Sequence, residues 1–224
     1  PHRRVLLEGA QGTLLDLDLG TYPFVTSTSV VAGGAAVGAG IGPRRISSVL
    51  GVFKAYSTRV GNGPFPTELA EGADAPEAAL VSQIRRTGRE YGVTTGRARR
   101  IGHLDLVALR YACRLNSLDG LVLTHLDVLD DFPLIRYCTD YEVDGTRTRS
   151  IPASADRLAS ATPVVAQMPG WQQSIADARS WEDLPAEARD YIAMIEDYVE
   201  TPVTIVSVGF ERTQTIIRSP VWSD

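Results

Sequence analysis

The chain has 224 residues, of which 44% are hydrophobic and 22% are charged, proportions that are typical of a soluble globular protein and exclude a disordered or fibrous one. Its formal net charge of −5 argues against general electrostatic binding of nucleic acid, and no apolar stretch has the roughly 20 residues that cross a bilayer. Two cysteines are too few for a disulfide framework, which favours a reducing compartment and therefore the cytoplasm.

The first quarter of the chain carries few regular patterns. Residues 4–8 form a short apolar run that predicts a buried strand. From there to residue 45 the chain is rich in Gly, Thr and Ser without a helical period, which predicts a long functional loop. The glycine-rich run 33–42 contains neither a complete P-loop motif nor a complete GxGxxG, so tight turns and close backbone packing are favoured over a phosphate cradle. Residues 46–55 predict a helix that leads into a strand near 56–60.

The rest of the chain alternates helical and extended patterns. Apolar residues at helical spacing predict helices over 75–91, 104–116 and 185–199. Short apolar runs predict strands over 120–124, 134–143, 203–207 and 213–217. This alternation indicates an α/β fold with a mixed, mainly parallel sheet and flanking helices, and such sheets bind ligands at the carboxyl ends of their strands.

Two of the predicted strands end in residues that suit guanine. The residues at these two ends are His125, Leu126, Asp127, Ser207, Val208 and Gly209. The carboxylate of Asp127 could accept both N1–H and the exocyclic amino group of guanine, whereas adenine offers no matching pair of donors. A backbone N–H at the second strand end could donate to guanine O6. Alternatively, Asp127 caps a turn before Asp130 and Asp131, and both interpretations stay open.

Residues 92–102 form a predicted loop that carries hydroxyl groups, a flexible glycine and three arginines. This combination suits a carboxylate or a phosphate, although a solvated charge run near a helix start is an equally good interpretation. An RNA-binding patch is less favoured, because no aromatic residues interleave with the arginines. Lys54 is the only lysine, so arginine must supply any other basic contact that this chain makes to a phosphate.

The sequence offers no metal site and no hydrolytic centre. Its histidines, His2, His103 and His125, are too scattered to form a metal site, and the chain has no HExxH or CxxC motif. Cys113 and Cys138 lie in apolar patterns and are predicted to be core residues. No convincing nucleophile–base pair for a hydrolase is present.

Seven segments together resemble the adenylosuccinate synthetase family. They occur in the family's order across essentially the whole chain, at 8–12 (EGAQG), 20–27 (GTYPFVTS), 55–68 (AYSTRVGNGPFPTE), 94–100 (TTGRARR), 114–130 (RLNSLDGLVLTHLDVLD), 168–171 (MPGW) and 206–216 (VSVGFERTQTI). The resemblance implies a P-loop-NTPase-like fold. It also implies a ligase of the AMP branch of purine biosynthesis, which makes adenylosuccinate from GTP, IMP and L-aspartate through 6-phosphoryl-IMP.

The resemblance also implies a role for each candidate residue. The residues implied to bind IMP are Gln11, Thr26 and Arg97. The residues implied to close on aspartate are Val93, Thr94, Thr95, Gly96, Arg97, Ala98 and Arg99. The residues implied to bind GTP are Arg99, His125, Leu126, Asp127, Ser207, Val208 and Gly209. Two positions depart from the family: His125 stands where a lysine is usual, and Ala98 where an arginine is common.

By the same resemblance, residues 1–224 are expected to be the C-terminal half of one adenylosuccinate synthetase domain. The phosphate-binding glycine loop, the catalytic acid and base, and the main protein ligands of Mg²⁺ are then expected in the other half. We therefore expect a cytoplasmic homodimer without nucleic-acid or membrane partners, and a chain that is inactive and poorly stable on its own. A non-catalytic GTP- or purine-binding interaction module is the alternative, and a nucleic-acid-binding regulator is a third possibility that the acidic charge disfavours.

Overall fold

The computed structural model describes residues 4–69, 75–92 and 96–220 of the chain. The α-helices in these ranges are α1 (Ala32–Ala39), α2 (Ala75–Thr87), α3 (Leu106–Asn116), α4 (Ala155–Ala159) and α5 (Ala186–Val199). The β-strands are β1 (Leu50–Lys54), β2 (Ser57–Arg59), β3 (Arg100–Gly102), β4 (Leu104–Asp105), β5 (Gly120–Thr124), β6 (Leu134–Val143), β7 (Thr146–Thr148), β8 (Thr162–Pro169), β9 (Val203–Ser207) and β10 (Thr215–Ile217).

The central sheet has the strand order β1-β5-β9-β10. β1, β5 and β9 run parallel, and β10 returns antiparallel to β9. A Cβ atom on Gly120 would lie 2.6 Å from Thr204 Cγ2, so the close approach of β5 and β9 requires glycine there. The main hydrophobic core joins this sheet to α3 and α5, and the fully buried Tyr191 of α5 donates a hydrogen bond to Ala55 O at 2.7 Å. The predicted α/β fold with a mixed, mainly parallel sheet is confirmed.

A second sheet is built around the long strand β6. β4 pairs with it in parallel, whereas β7 and β8 pair with it antiparallel. A smaller core lies under this sheet and includes the buried residues Val107, Cys138, Tyr141 and Leu158. β2 and β3 form a separate antiparallel ribbon that leads from the central sheet to α3.

Several sequence predictions match these elements closely. β5, β6 and β9 have the predicted bounds, and α3 and α5 begin one or two residues inside theirs. α2 ends at Thr87 rather than at residue 91, and β10 is shorter than predicted. Both cysteines are buried, as predicted. The patterns gave no indication of α4, β7 or β8.

Three predictions for the first quarter of the chain are wrong. Residues 4–8 are not a buried strand: the side chain of Val5 is 75% exposed, because no described strand pairs with this run. The region up to residue 45 is not a continuous loop, since alanines favour helix and α1 forms there, ending at Gly40 in the left-handed conformation. Residues 46–55 contain β1 instead of a helix, because pairing with β5 outweighs local preference.

Candidate functional site

The two strand ends singled out in the sequence lie side by side. β5 and β9 are parallel neighbours, with Leu123 opposite Val206, so both strands finish at the same edge of the central sheet. The segment after β5 carries Asp127, and Gly209 follows β9. The structure therefore brings together the two groups of residues predicted to contact one planar base.

The turn after β5 positions the Asp127 side chain. His125 adopts the left-handed conformation (φ 58°, ψ 30°) and begins a 3₁₀ turn over Leu126–Leu129. Leu126 is completely buried, so its side chain anchors this turn in the core. Asp127 is half-buried, and burial raises the pKa of its carboxyl group. Within the described ranges, only the backbone N–H of Asp127 itself donates to this carboxylate, and no side chain caps the turn.

The turn after β9 leaves one donor available. Ser207 Oγ donates to Gly209 O at 2.9 Å, and the N–H of the buried Val208 donates to Gln214 O at 2.9 Å. A Cβ atom on Gly209 would meet the end of the Gln214 side chain, so a larger residue there would have to displace that side chain. Gly209 N–H has no acceptor in the part of the chain that the structure describes. It is therefore the donor that this strand end can offer to a ligand.

Two aromatic residues that the sequence analysis missed flank His125. The His125 ring meets the edges of Tyr56 and Phe210, with ring centroids 5.9 Å and 6.3 Å away. Phe210 is 61% exposed, and the Arg89 guanidinium lies over its ring at 4.6 Å from the centroid. Burial and the charge of Lys54 lower the pKa of His125, which favours a neutral imidazole. The sequence could have indicated Phe210, because it is an aromatic residue directly after Gly209, which follows β9.

Asp130 has a larger role than that of an ordinary turn residue. Its carboxylate accepts hydrogen bonds from Trp171 Nε1 at 2.8 Å and from Ile175 N at 3.1 Å. Burial raises the pKa of Asp130 to about 6. These two bonds fix the end of the Leu126–Leu129 turn and so help to place Asp127.

The arginine loop, residues 92–102, is held together by contacts between its described residues. Tyr91 and Ala98 form a β-bridge, and Gly92 N donates to Arg97 O at 2.8 Å. Gly96 has a φ of 63°, a left-handed conformation that glycine adopts without strain. Arg97 and Ala98 are exposed. The predicted aspartate-loop residues Val93, Thr94 and Thr95 lie outside the described residues. The loop leads into β3 rather than into a helix.

Arg99 points inward from this loop. Its Nη1 lies 2.8 Å from Oε2 of Glu90, which is completely buried and which the sequence analysis missed. The Lys54 ammonium contacts the same carboxylate at 2.6 Å, and burial lowers the pKa of Lys54. Arg99 Nε is buried and has no hydrogen-bond partner among the described residues. That atom is closed off from solvent, whereas a quarter of the Arg99 side chain is exposed, and only this exposed part could contact an anionic ligand.

A folded segment near the start of the chain carries Thr26. Thr26 N donates to Leu15 O at 2.8 Å. Arg59 of β2 reaches this segment, since its Nη2 donates to Thr21 Oγ1 at 2.9 Å and to Phe24 O at 3.0 Å. β2 pairs with β3, so the segment is connected to the arginine loop. Gln11 is exposed, and the structure describes no contact between it and the other candidate residues.

Buried Asp16 organises the same segment from within. Its carboxylate accepts hydrogen bonds from Leu19 N, Val30 N and Ser29 Oγ at 2.8–3.0 Å. Burial opposes ionisation, but these hydrogen bonds together outweigh it and lower the pKa of Asp16 to about 2. The ionised carboxylate therefore holds both ends of the loop that presents Thr26.

Other kinds of site are not found in the described ranges. They contain no group of three or more His, Cys, Asp or Glu side chains that could hold a metal ion. No helix in these ranges is long and apolar enough to cross a membrane. The glycine run 33–42, for which tight turns and close backbone packing were favoured, lies mostly in α1 rather than in turns, and its Gly34 packs closely on Ser29.

Comparison with known proteins gives one consistent result. The adenylosuccinate synthetase family model matches residues 1–216. The chain is 52% identical over 220 residues to the adenylosuccinate synthetase of Mycobacterium tuberculosis (strain H37Rv), covering 98% of this chain and 49% of that relative. It is 55% identical over 215 residues to the enzyme of Sorangium cellulosum, covering 96% of this chain and 48% of that relative.

A solved structure, that of fully ligated adenylosuccinate synthetase from Plasmodium falciparum, is similar with a TM-score of 0.88 and 38% identity. The similarity covers 95% of this chain and 49% of that chain. The chain thus spans about half the length of the curated relatives that it matches.

Proposed function

Because this chain belongs to the adenylosuccinate synthetase family, we propose that it supplies part of the active site of an enzyme that joins IMP to L-aspartate at the expense of GTP. In the proposed reaction, GTP phosphorylates the 6-oxygen of IMP, and the aspartate nitrogen then displaces that phosphate to give adenylosuccinate. The observation that carries the proposal is the placement of Asp127 and Gly209 at adjacent strand ends, in a chain whose sequence matches the family throughout.

The guanine base of GTP is proposed to bind between these strand ends. The Asp127 carboxylate would accept N1–H and the 2-amino group, and Gly209 N–H would donate to O6. Burial raises the pKa of Asp127, which means that the ionised carboxylate is less stable there than in water. Hydrogen bonds from the two guanine donors would stabilise the ionised form again. The rings of His125 and Phe210 would contact the apolar faces or edges of the base. His125 would thereby take the place of the usual lysine.

The arginine loop is proposed to hold the anionic parts of the substrates. The Arg99 side chain is 25% exposed and would meet a phosphate through this exposed part, and the cluster that it forms with Lys54 and Glu90 carries a net positive charge. Arg97 is exposed and would reach the carboxylates of aspartate and also IMP. Thr26 is proposed to hold the 5′-phosphate of IMP, and Gln11 to contact its base near the activated oxygen.

Residues 1–224 are further proposed to be the C-terminal portion of a single enzyme domain, cytoplasmic and dimeric in its complete form. We propose that this chain alone has no activity, since it spans about half of its relatives. Mg²⁺ commonly neutralises the charge of transferring phosphates. The described residues contain no group of three or more His, Cys, Asp or Glu side chains that could hold it, and none of the roles above depends on it.

The test is an assay for adenylosuccinate with GTP, IMP and aspartate, performed on this chain alone and after mixing with the N-terminal half of a curated relative. We expect the chain alone to bind GDP without turnover, and the mixture to show turnover that depends on aspartate. Substantial turnover by the chain alone would refute its proposed inactivity. A folded chain that binds no guanine nucleotide would refute the proposed site, and binding without turnover in any assembled mixture would favour a non-catalytic GTP-binding module.

A further inference from the structure

Glu90 is a completely buried carboxylate with partners from three parts of the fold. Lys54 Nζ lies 2.6 Å and Tyr56 OH 2.5 Å from its Oε1, and Arg99 Nη1 lies 2.8 Å from its Oε2. Glu90 O also accepts a hydrogen bond from Arg99 N at 2.9 Å. Lys54 ends β1, Glu90 follows α2 and Arg99 precedes β3, so one side chain joins segments that are far apart in sequence.

The charges of this cluster favour its ionised form. Burial opposes the ionisation of Glu90, but the hydrogen bonds from Lys54, Tyr56 and Arg99 outweigh it and hold the pKa of Glu90 below its ordinary value. The two cations and one anion leave one net positive charge. The Arg99 and Lys54 side chains are 25% and 23% exposed, so this charge lies near the surface of the site rather than deep in the core.

The cluster also reaches the purine end of the proposed site. Tyr56 OH lies 3.3 Å from His125 Nδ1 as well as contacting Glu90, and the Tyr56 and His125 rings meet edge to face. His125 begins the turn that carries Asp127. Glu90 is therefore connected on one side to the arginine proposed to hold the phosphates, and through a single hydroxyl to the residue beside guanine.

We propose that Glu90 is a positioning residue that fixes the distance between Arg99 and His125, so that the base and the phosphates of a guanine nucleotide bind as one unit. This inference rests on the proposed function and adds a residue that touches neither the base nor the phosphates. Its physical basis is preorganisation. If Arg99 and the turn that begins at His125 are already held at the right distance, they lose less conformational freedom when a ligand binds to both. Glu90 acts on Arg99 directly and on His125 through Tyr56.

The central experiment replaces Glu90 with glutamine and measures binding of three ligands to the chain by calorimetry. GDP contains both ends of the nucleotide, guanosine has only the base end, and pyrophosphate has only the phosphate end. We expect Glu90→Gln to weaken GDP binding by about tenfold, the scale of one charge-assisted hydrogen bond, and to change guanosine and pyrophosphate binding by less than about twofold. A loss of pyrophosphate binding as large as that of GDP would contradict the proposal, because it would mean that Glu90 sets only the local charge at Arg99.

Glu68→Gln is the matched control. Glu68 forms an ion pair with Arg100, the residue after Arg99, with Arg100 Nε 2.7 Å from Glu68 Oε1. Both variants therefore exchange a carboxylate for an amide beside an arginine of the same segment. Glu68 has no described contact to Tyr56 or His125, and we expect Glu68→Gln to bind all three ligands like the original chain. If Glu90→Gln weakens GDP binding no more than Glu68→Gln does, the inference is wrong.

Tyr56→Phe tests the same link without disturbing the ion pairs of Glu90. It removes only the hydroxyl that lies between Glu90 and His125. We expect Tyr56→Phe to weaken GDP binding by about threefold. When Tyr56→Phe is added to Glu90→Gln, we expect GDP binding to weaken by less than that further factor, because both changes break the same link. Fully additive losses would overturn the inference. Circular dichroism and the unfolding midpoint show whether each variant is folded. If Glu90→Gln fails to fold, the Tyr56→Phe variant alone tests the inference.

The outcomes separate the inference from the function on which it rests. If the unmodified, folded chain does not bind GDP, then the proposed guanine site is wrong. If it binds GDP and both variants behave like the Glu68→Gln control, then the guanine site stands and the positioning role of Glu90 is wrong.

Discussion

Replacing Asp127 with asparagine tests the guanine site most directly. The half-buried Asp127 carboxylate is proposed to accept two hydrogen bonds from guanine, each of about 1.5–3 kcal/mol because the acceptor is charged. Asparagine keeps one neutral acceptor and directs an amide N–H towards a guanine donor. Since asparagine keeps one of the two acceptors and solvent reaches part of the site, we expect a loss of about 2 kcal/mol, which is the lower part of the range for one such bond and corresponds to a roughly 30-fold weaker complex.

The assay compares GDP with inosine diphosphate, which lacks the 2-amino group, in a competition titration against a fluorescent guanine nucleotide. We expect the original chain to prefer GDP and Asp127→Asn to lose most of that preference. Asp131→Asn is the control, since Asp131 is exposed and lies two residues after the Leu126–Leu129 turn that carries Asp127. Because burial raises the pKa of Asp127, GDP affinity should also fall as the pH decreases through that raised pKa, where the carboxylate becomes protonated.

An unchanged preference for GDP over inosine diphosphate in a folded Asp127→Asn chain would refute the reasoning. It would mean that the carboxylate at the end of β5 does not contact the edge of the base. An equal loss of this preference in Asp127→Asn and Asp131→Asn would refute it as well, because the loss would then come from a change in surface charge.

Two further predictions concern the start of the chain and the arginine loop. Asp16→Ala should lower the free energy of unfolding by about 2 kcal/mol, because it leaves buried N–H donors unpaired. Denaturant titration measures this loss. An unchanged midpoint would contradict the role of Asp16. The pKa of Asp16 falls from 3.8 to about 2 on folding, so the stability that it contributes is present above pH 4 and is lost as the pH falls towards 2. In a complete enzyme, Arg97→Ala should raise KM for aspartate or lower kcat, and unaltered kinetics for every substrate would remove Arg97 from the site.

The central strands could be predicted from the sequence because their patterns are local and strong. β5 and β9 are short, mostly apolar runs without an exposed residue; Gly120 begins β5, and Gly209 lies two residues after β9. β8 could not be predicted, because its residues alternate between half-buried and exposed and it depends on pairing with the distant β6. The run 4–8 shows the opposite case, since apolar composition alone supplies no hydrogen-bond partner.

The candidate site divides in the same way. Asp127 and Gly209 follow recognisable strands, so their meeting at one sheet edge could be predicted from topology. The position of Glu90 could not be predicted, because Glu90 lies in a short polar segment after α2 and its partner Lys54 is 36 positions away. Phe210 is exposed in a loop, and only the fold reveals that it faces His125.

The cluster around Glu90 also gives the chain a built-in chemical reporter. Lys54 is the only lysine, so an amine-reactive reagent can modify no other side chain amine. Its ammonium is held by Glu90 and by Thr58, 3.3 Å away, and its modification requires that this ion pair open. A single mass increment on the peptide that contains Lys54, followed over time, therefore measures how often the cluster opens without any engineered label.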